Sequence, residues 1–390
     1  MDNKDARGIS RRDFIRNTGL AAAGTVTTAL ASKSLGMAGR MPDRPADSKI
    51  LNFNERMNYR RLGKTNLWIS EISLGGHWKN RNAKRYWGEF ANDEVPDDVA
   101  QNRSDVVSAC IDAGINYLDI TTSAECLAYG AALKNRRHKM YVGADDCNLC
   151  IRKEQFRNVK DQLFNIDECL RRLGTDYLDI WRPQARTDGS NTDADVETTI
   201  EAFDKARKAG KALHLGMSSH HRPWAQHVIE KYPEMEMFIF PCTAKTREKG
   251  LAPLKKNVIE TDAGYGADQS SSVFKSLRER DVGLVTIKPF MGGNLFASYG
   301  KDAFPVMGAG TKTENDLARL TLQCILANET ITATVPGCTT VYEVDNAARA
   351  SYNRPLGISA AERHWIELHT DRRWADLPAE YTWLKDWEIV

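Results

Sequence analysis

Short apolar or β-branched runs alternate along the chain with longer stretches of helical period, and this alternation restricts it to a parallel α/β architecture. The runs that read as strands are Ile72–Leu74, Tyr117–Ile120, Met140–Gly143, Tyr177–Trp181, His214–Met217, Met237–Phe240, Gly283–Ile287 and Thr332–Val335. Between them, apolar residues recur at helical spacing. Val106, Ala109, Cys110 and Ala113 form one stripe, Val159, Leu163, Ile166 and Leu170 a second, and Leu317, Leu320, Leu322, Ile325 and Leu326 a third. Glycines stop the helices, as at Gly114 and Gly210. Eight such units in roughly 280 residues predict a (β/α)₈ barrel, with a doubly wound sheet as the alternative. In a barrel the chemistry sits after the C-terminal ends of the strands. Those loops carry Asp119, Asp145, Asp146, Gln184, Ser218, Ser219, His220, His221, Lys245 and Lys288.

The residues before the first strand read differently. Ser10-Arg11-Arg12-Asp13-Phe14-Ile15-Arg16 precedes an uncharged, weakly apolar run from Gly19 to Leu30. Small-residue sites suited to a signal peptidase follow, at Ala29–Ala31 and Leu35–Ala38. Residues 1–38 are therefore expected to be a twin-arginine signal, read by the twin-arginine translocase, and the protein to be periplasmic or otherwise exported. The run is too short and mild for a permanent membrane span. Residues 39–56 read as a linker, 57–355 as the barrel, and 356–390 as an extension packing on it. A net charge of +2 argues against a nucleic-acid partner. The 8 cysteines are too sparse for a disulfide scaffold. Cys147 and Cys150 form a lone CxxC, read first as structural thiols or a periplasmic disulfide, with metal or redox chemistry as the alternative.

Several segments resemble the aldo-keto reductase family. Tyr59–Asn66 resembles the hairpin that plugs the bottom of that barrel. Ile72-Ser73-Leu74-Gly75-Gly76 resembles its first strand and Ala113–Asp119 its second. Leu170–Asp179 is the most family-specific stretch, and Leu215–Ser219 and Val335-Pro336-Gly337 resemble the fifth and eighth strand ends. The resemblance implies an oxidoreductase that moves a hydride between a nicotinamide cofactor, NAD or NADP, and the carbonyl or hydroxyl group of a small molecule. It also implies a tyrosine as proton donor, a lysine beside it, an aspartate paired with the lysine, and a histidine facing the substrate. Asp119 matches the aspartate. Ala124 stands at the tyrosine position, Asp145 at the lysine and Gln184 at the histidine, so the family's proton relay cannot operate as such. Asp119, Asp145, Gln184 and Lys288 are the candidate catalytic residues, with Tyr86, His77 and Lys288 as candidates for the missing acid. Tyr129 reads as helix packing.

For the cofactor, the resemblance points to Ser218 and Ser219 at the carboxamide, Gly292 and Gly293 over the pyrophosphate, and Pro336, Gly337 and Cys338 after the eighth strand. Gly337 and Cys338 replace residues that often grip a 2′-phosphate, so nothing favours NADP. A second reading of the same loops stays open. Asp119 and Asp145 as neighbouring carboxylates, or Asp145 and Asp146 with His220 and His221, would suit a cofactor-free or metal-assisted lyase or hydrolase. A non-catalytic binding protein on the same barrel is the third. Trp365, Trp374, Trp383, Trp387 and Tyr381 gather aromatics in the last segment; the resemblance implies that this segment shapes one wall of the substrate pocket, so they suit stacking on a sugar or packing on the barrel.

Overall fold

In the computed structural model, residues 43–78, 90–249, 272–296 and 310–390 are described. The expected signal and the start of the linker lie outside them, as does Tyr86. From Arg44 onward the chain is a single unit.

Ten strands and nine helices follow in chain order among these residues. They are β1 (Tyr59–Arg61), β2 (Trp68–Ser70), β3 (Leu74–Gly75), α1 (Asp97–Ala113), β4 (Tyr117–Ile120), α2 (Ser123–Leu133), β5 (Tyr141–Ala144), α3 (Val159–Leu173), β6 (Leu178–Trp181) and α4 (Asp193–Lys208), then β7 (Ala212–Ser218), α5 (Arg222–Lys231), β8 (Met237–Pro241), α6 (Val273–Arg280), β9 (Gly283–Ile287), α7 (Lys312–Leu326), β10 (Ala333–Thr334), α8 (Val341–Tyr352) and α9 (Ala360–Ala375). Strands β3 to β10 form one eight-stranded sheet in sequential order, with every pairing parallel. The sheet closes on itself: Ile72 bridges Thr334, and the Gly75 N–H donates to Pro336 O at 2.9 Å. That is the (β/α)₈ barrel, not a doubly wound sheet.

The hairpin β1–β2 plugs the N-terminal end. Its Leu62 and Ile69 are buried with Tyr117, Ile180, Met237 and Val285 in the barrel interior. Gly63, at a φ of +50°, sets the turn against the start of β9, where a Cβ would stand 2.2 Å from the Gly283 N. A larger apolar layer lies between the sheet and the helices. Side chains predicted from helical spacing, among them Val106, Cys110, Ile166 and Leu322, are fully buried there.

The predicted linker needs correction. Ile50 is buried, and Asn52 Nδ2 donates to Lys139 O at 2.5 Å, so residues from about 50 onward are part of the barrel's outer layer. Among the described residues, no helix is long and apolar enough to cross a membrane.

Candidate active site

The barrel's C-terminal mouth opens into a cavity of about 280 Å³. Its floor is an ion pair. Asp119, on β4, is gripped by Arg182, from just past the end of β6: Nε donates to Oδ1 at 2.6 Å and Nη2 to Oδ2 at 2.7 Å. The same Nη2 reaches Ile120 O and Thr121 Oγ1, so one planar group ties two strand ends together. Burial raises the Asp119 pKa, and Arg182 works against that rise. Burial opposes the charge on Arg182 as well, but Asp119, Tyr117 and Asp145 outweigh it and hold the guanidinium protonated. A bidentate pair with a cation this basic is the ionised form.

Arg182 was not anticipated. It sits two residues before Gln184, in the Pro-containing strand end, and only the closed barrel shows that it crosses to Asp119.

Asp145 departs from its expected place. It is fully buried and does not line the cavity. It follows β5 and turns toward α3, accepting from Asn165 Nδ2 at 3.0 Å and from the Gln184 N–H at 3.1 Å. Burial pushes its carboxyl up to about 7, against the pull of Arg182. It holds Gln184 in place from behind instead of facing a substrate. Gln184 does line the cavity, and its Oε1 accepts from Arg152 Nη1 at 2.6 Å. Arg152 is a second cavity residue that sequence reasoning missed.

Lys288 lines the opposite wall. Its backbone is left-handed at a φ of 60°, which lets its carbonyl accept the Met291 N–H at 2.9 Å and start the turn over Gly292 and Gly293. Both glycines have positive φ and line the cavity, as do Ser218, Pro336 and Gly337. Ser218 is buried, and its Oγ has no hydrogen-bond partner among the described residues. Gly337 permits the barrel's closing contact: a Cβ there would lie 1.9 Å from His77 O.

Two expected cofactor residues lie elsewhere. Ser219 Oγ accepts the His221 N–H at 3.0 Å, so it braces the turn and is absent from the lining. Cys338 lines a smaller adjoining cleft between α7 and α8, not the main cavity, and its carbonyl is held by Arg103 at 2.8 Å.

The carboxylate-pair and metal readings lose their geometry. Arg182 occupies Asp119, and Asp145 faces Asn165. Asp146 pairs with Arg172 at 3.2 Å, and His221 Nδ1 accepts the Trp224 N–H to cap α5. His220 stacks on Trp383 with ring centroids 4.1 Å apart, and burial with the charges of Lys288 and Arg152 keeps its pKa well below the usual histidine value. Among the described residues no cluster of His, Cys, Asp and Glu could hold a metal ion. Cys147 lines the cavity, while the Cys150 thiol donates to Gln184 O at 3.1 Å; both are free. Lys245 is also outside the site, bridging Asp371 and Glu388 of the last segment.

That last segment packs behind the mouth. Trp387 is buried, stacks on Phe240 at 4.6 Å and donates from Nε1 to His220 O at 2.9 Å. Tyr381 packs against Gly292, where a Cβ would lie 2.3 Å from its ring. The aromatic tail therefore both packs and shapes the mouth.

The comparisons decide the family. The sequence profile of the aldo/keto reductase family matches residues 84–358. The chain belongs to the aldo/keto reductase family. It is 25% identical over 324 residues to L-galactose dehydrogenase of Arabidopsis thaliana, covering 78% of this chain and 91% of that protein. It is 24% identical over 342 residues to an uncharacterized oxidoreductase of Bacillus subtilis, covering 79% and 96%. Among solved structures, the holo form of an aldo-keto reductase from Bacillus halodurans aligns with a TM-score of 0.53 at 19% identity, covering 80% of this chain and 96% of the other. An aldo/keto reductase from Klebsiella pneumoniae in complex with NADP and acetate gives 0.53 at 17%, covering 80% and 94%. At those identities the structures speak for the fold, and family membership makes the chain an oxidoreductase of the aldo/keto type.

Proposed function

We propose that this reductase interconverts a carbonyl and a hydroxyl group on a sugar-like molecule, using a nicotinamide dinucleotide seated across the barrel mouth. Ser218 carries the reading: it lines the cavity, its buried Oγ has no hydrogen-bond partner among the described residues, and a carboxamide reaching it would supply the missing bond. Gly292 and Gly293 offer a turn that a phosphate can approach without meeting side chains, and the cleft beside Gly337 continues the groove toward α7 and α8. A bound nicotinamide supplies or accepts the hydride. Arg152 and Gln184 present hydrogen-bonding groups to the substrate oxygen, while Arg182 and Asp119 replace the family's lysine–aspartate pair with a fixed ion pair. The likeness to L-galactose dehydrogenase and the aromatic side chains of Trp78 and Phe290 in the lining support a sugar-like substrate.

NAD fits better than NADP. Glu343 lines both clefts, and its Oε2 accepts the Thr339 and Thr340 N–H groups at 2.5 and 3.0 Å. A carboxylate thus already occupies the N-terminus of α8, where it would repel a 2′-phosphate.

Fluorescence titration tests this directly. NADH binds the purified protein, more tightly than NADPH, and Ser218→Ala weakens NADH by about 2- to 12-fold, the worth of one hydrogen bond. If neither dinucleotide binds, the reading is wrong.

We further infer export by the twin-arginine route, which carries folded proteins and so lets a barrel leave with its cofactor inside. The paired Arg11 and Arg12 ahead of an uncharged run support it. Changing both arginines to lysine keeps the protein in the cytoplasm; unchanged export of that variant sinks the inference.

A further inference from the structure

Among the described residues, which do not include Tyr86, no tyrosine lines the cavity. Ala124, at the family's tyrosine position, is buried. Tyr129 is buried and donates to Gly75 O at 3.2 Å, and Tyr117 lies beneath Asp119, donating to its Oδ1 at 3.3 Å. The proton that must accompany a hydride needs another carrier.

One pair of titratable side chains at the mouth has the geometry for it. His77, directly after β3, lines the cavity, and its Nδ1 is bonded to Glu125 Oε1. Glu125 comes from the first turn of α2 and is fully buried. Its other oxygen accepts the Thr121 N–H at 2.7 Å, so the carboxylate cannot swing away. Gly76 makes the approach possible, since a Cβ there would stand 2.4 Å from Glu125 Oε2. The glycine, the glutamate and the histidine form one packed unit, set one residue from the vacated tyrosine position. A buried carboxylate on Nδ1 fixes the ring's tautomer and orientation, which assigns the exchangeable proton to Nε2.

We propose that His77, positioned by Glu125, is the proton donor and acceptor of this enzyme. The proposal rests on the nicotinamide reading above. In reduction, the substrate carbonyl carbon receives a hydride from the reduced nicotinamide. The π pair moves onto oxygen, the Nε2–H bond of the His77 imidazolium breaks, and the proton forms the new O–H bond. In oxidation, neutral His77 takes the hydroxyl proton while hydride leaves the carbon for the oxidised nicotinamide. Glu125 touches no reacting atom and is a positioning residue. Among the described residues, the charged or titratable groups sharing this mouth with His77 are Glu125 from α2, Asp119 on β4, Cys147 and Arg152 past β5, Arg182 past β6, His220 past β7, Lys288 past β9 and Glu343 from α8. Lys288 is the competing donor.

The test uses the full chain with NAD and L-galactose as the probe pair, and a panel of aldoses beside it. His77→Asn lowers kcat by about 10²- to 10³-fold, the usual contribution of a general acid, with NADH affinity unchanged. It also removes one limb of the pH–rate profile. Glu125→Gln lowers kcat by about tenfold at unchanged KM and shifts the same limb. In proton NMR the far-downfield Nδ1–H signal of the wild type disappears in Glu125→Gln, a readout that does not need turnover. Lys288→Met leaves the limb in place. A His77→Asn enzyme within about threefold of wild type, or loss of the limb in Lys288→Met instead, overturns the proposal. Failure of the wild type to bind NADH overturns the nicotinamide reading first, and the proton role with it.

Discussion

Arg182→Met should lower the unfolding free energy by about 3–5 kcal/mol in urea denaturation, the cost of leaving a buried charge without its partner. Asp119 is 4% exposed and draws two of its hydrogen bonds from this one guanidinium. Methionine keeps most of the side-chain volume and removes every N–H donor of the guanidinium, so the loss is electrostatic and not a packing defect. The Tyr117 hydroxyl remains near Asp119 Oδ1 at 3.3 Å but is too long and too neutral to compensate. A second change separates the two explanations. Adding Asp119→Leu to Arg182→Met removes the stranded carboxylate and should recover most of the stability, because apolar replacement of a buried pair is often neutral. Activity should not return in the double variant. A fall below about 1 kcal/mol in the single variant would mean that water reaches the pair.

Trp387→Ala should cost about 3–5 kcal/mol, the range for truncating a buried large aromatic. The ring lies against Phe240 at an interplanar angle of 23°, and Phe240 itself stacks on Phe274. The deleted indole therefore opens a void between the last segment, β8 and α6. Its Nε1–H also holds the His220 carbonyl, so His220 and the Trp383 ring stacked on it lose their anchor. NADH or sugar affinity should weaken beyond what the stability loss accounts for. Trp387→Phe keeps the stack and loses the hydrogen bond, for about 1 kcal/mol. Equal stability of the alanine and phenylalanine variants would show that the ring's burial contributes little.

The barrel was legible because its signal is periodic and local. Each strand run is bounded by a turn, each helix by a stripe and a stop, and their order leaves few topologies. Strands such as Tyr117–Ile120 and Gly283–Ile287 have the same bounds in the sequence reading and the structure. The cavity was legible only in part. Gln184, Ser218 and Lys288 line it because a strand end dictates where the next residues emerge. Asp145 does not, since the direction of a residue after a strand depends on what the adjacent helix offers it, here Asn165. Arg182 and Glu125 were missed for a different reason. Each acts through a partner far away in sequence, Asp119 and His77, and neither pairing leaves a local mark. Arg152 belongs to the same class: it matters through Gln184, on another loop.

The Arg182–Asp119 fork has a consequence for the conditions under which such a site works. A lysine in that role can shed its proton when buried, but a guanidinium stays charged across any pH a folded protein survives. The positive charge it holds at the mouth is therefore constant, and Asp119, raised by burial, is the partner of the two that can take up a proton. Acidity outside the cell is not buffered as the cytoplasm is, and under the export proposed above the guanidinium would keep its charge through those swings. Whatever pH sensitivity its turnover shows is then the signature of groups other than this guanidinium.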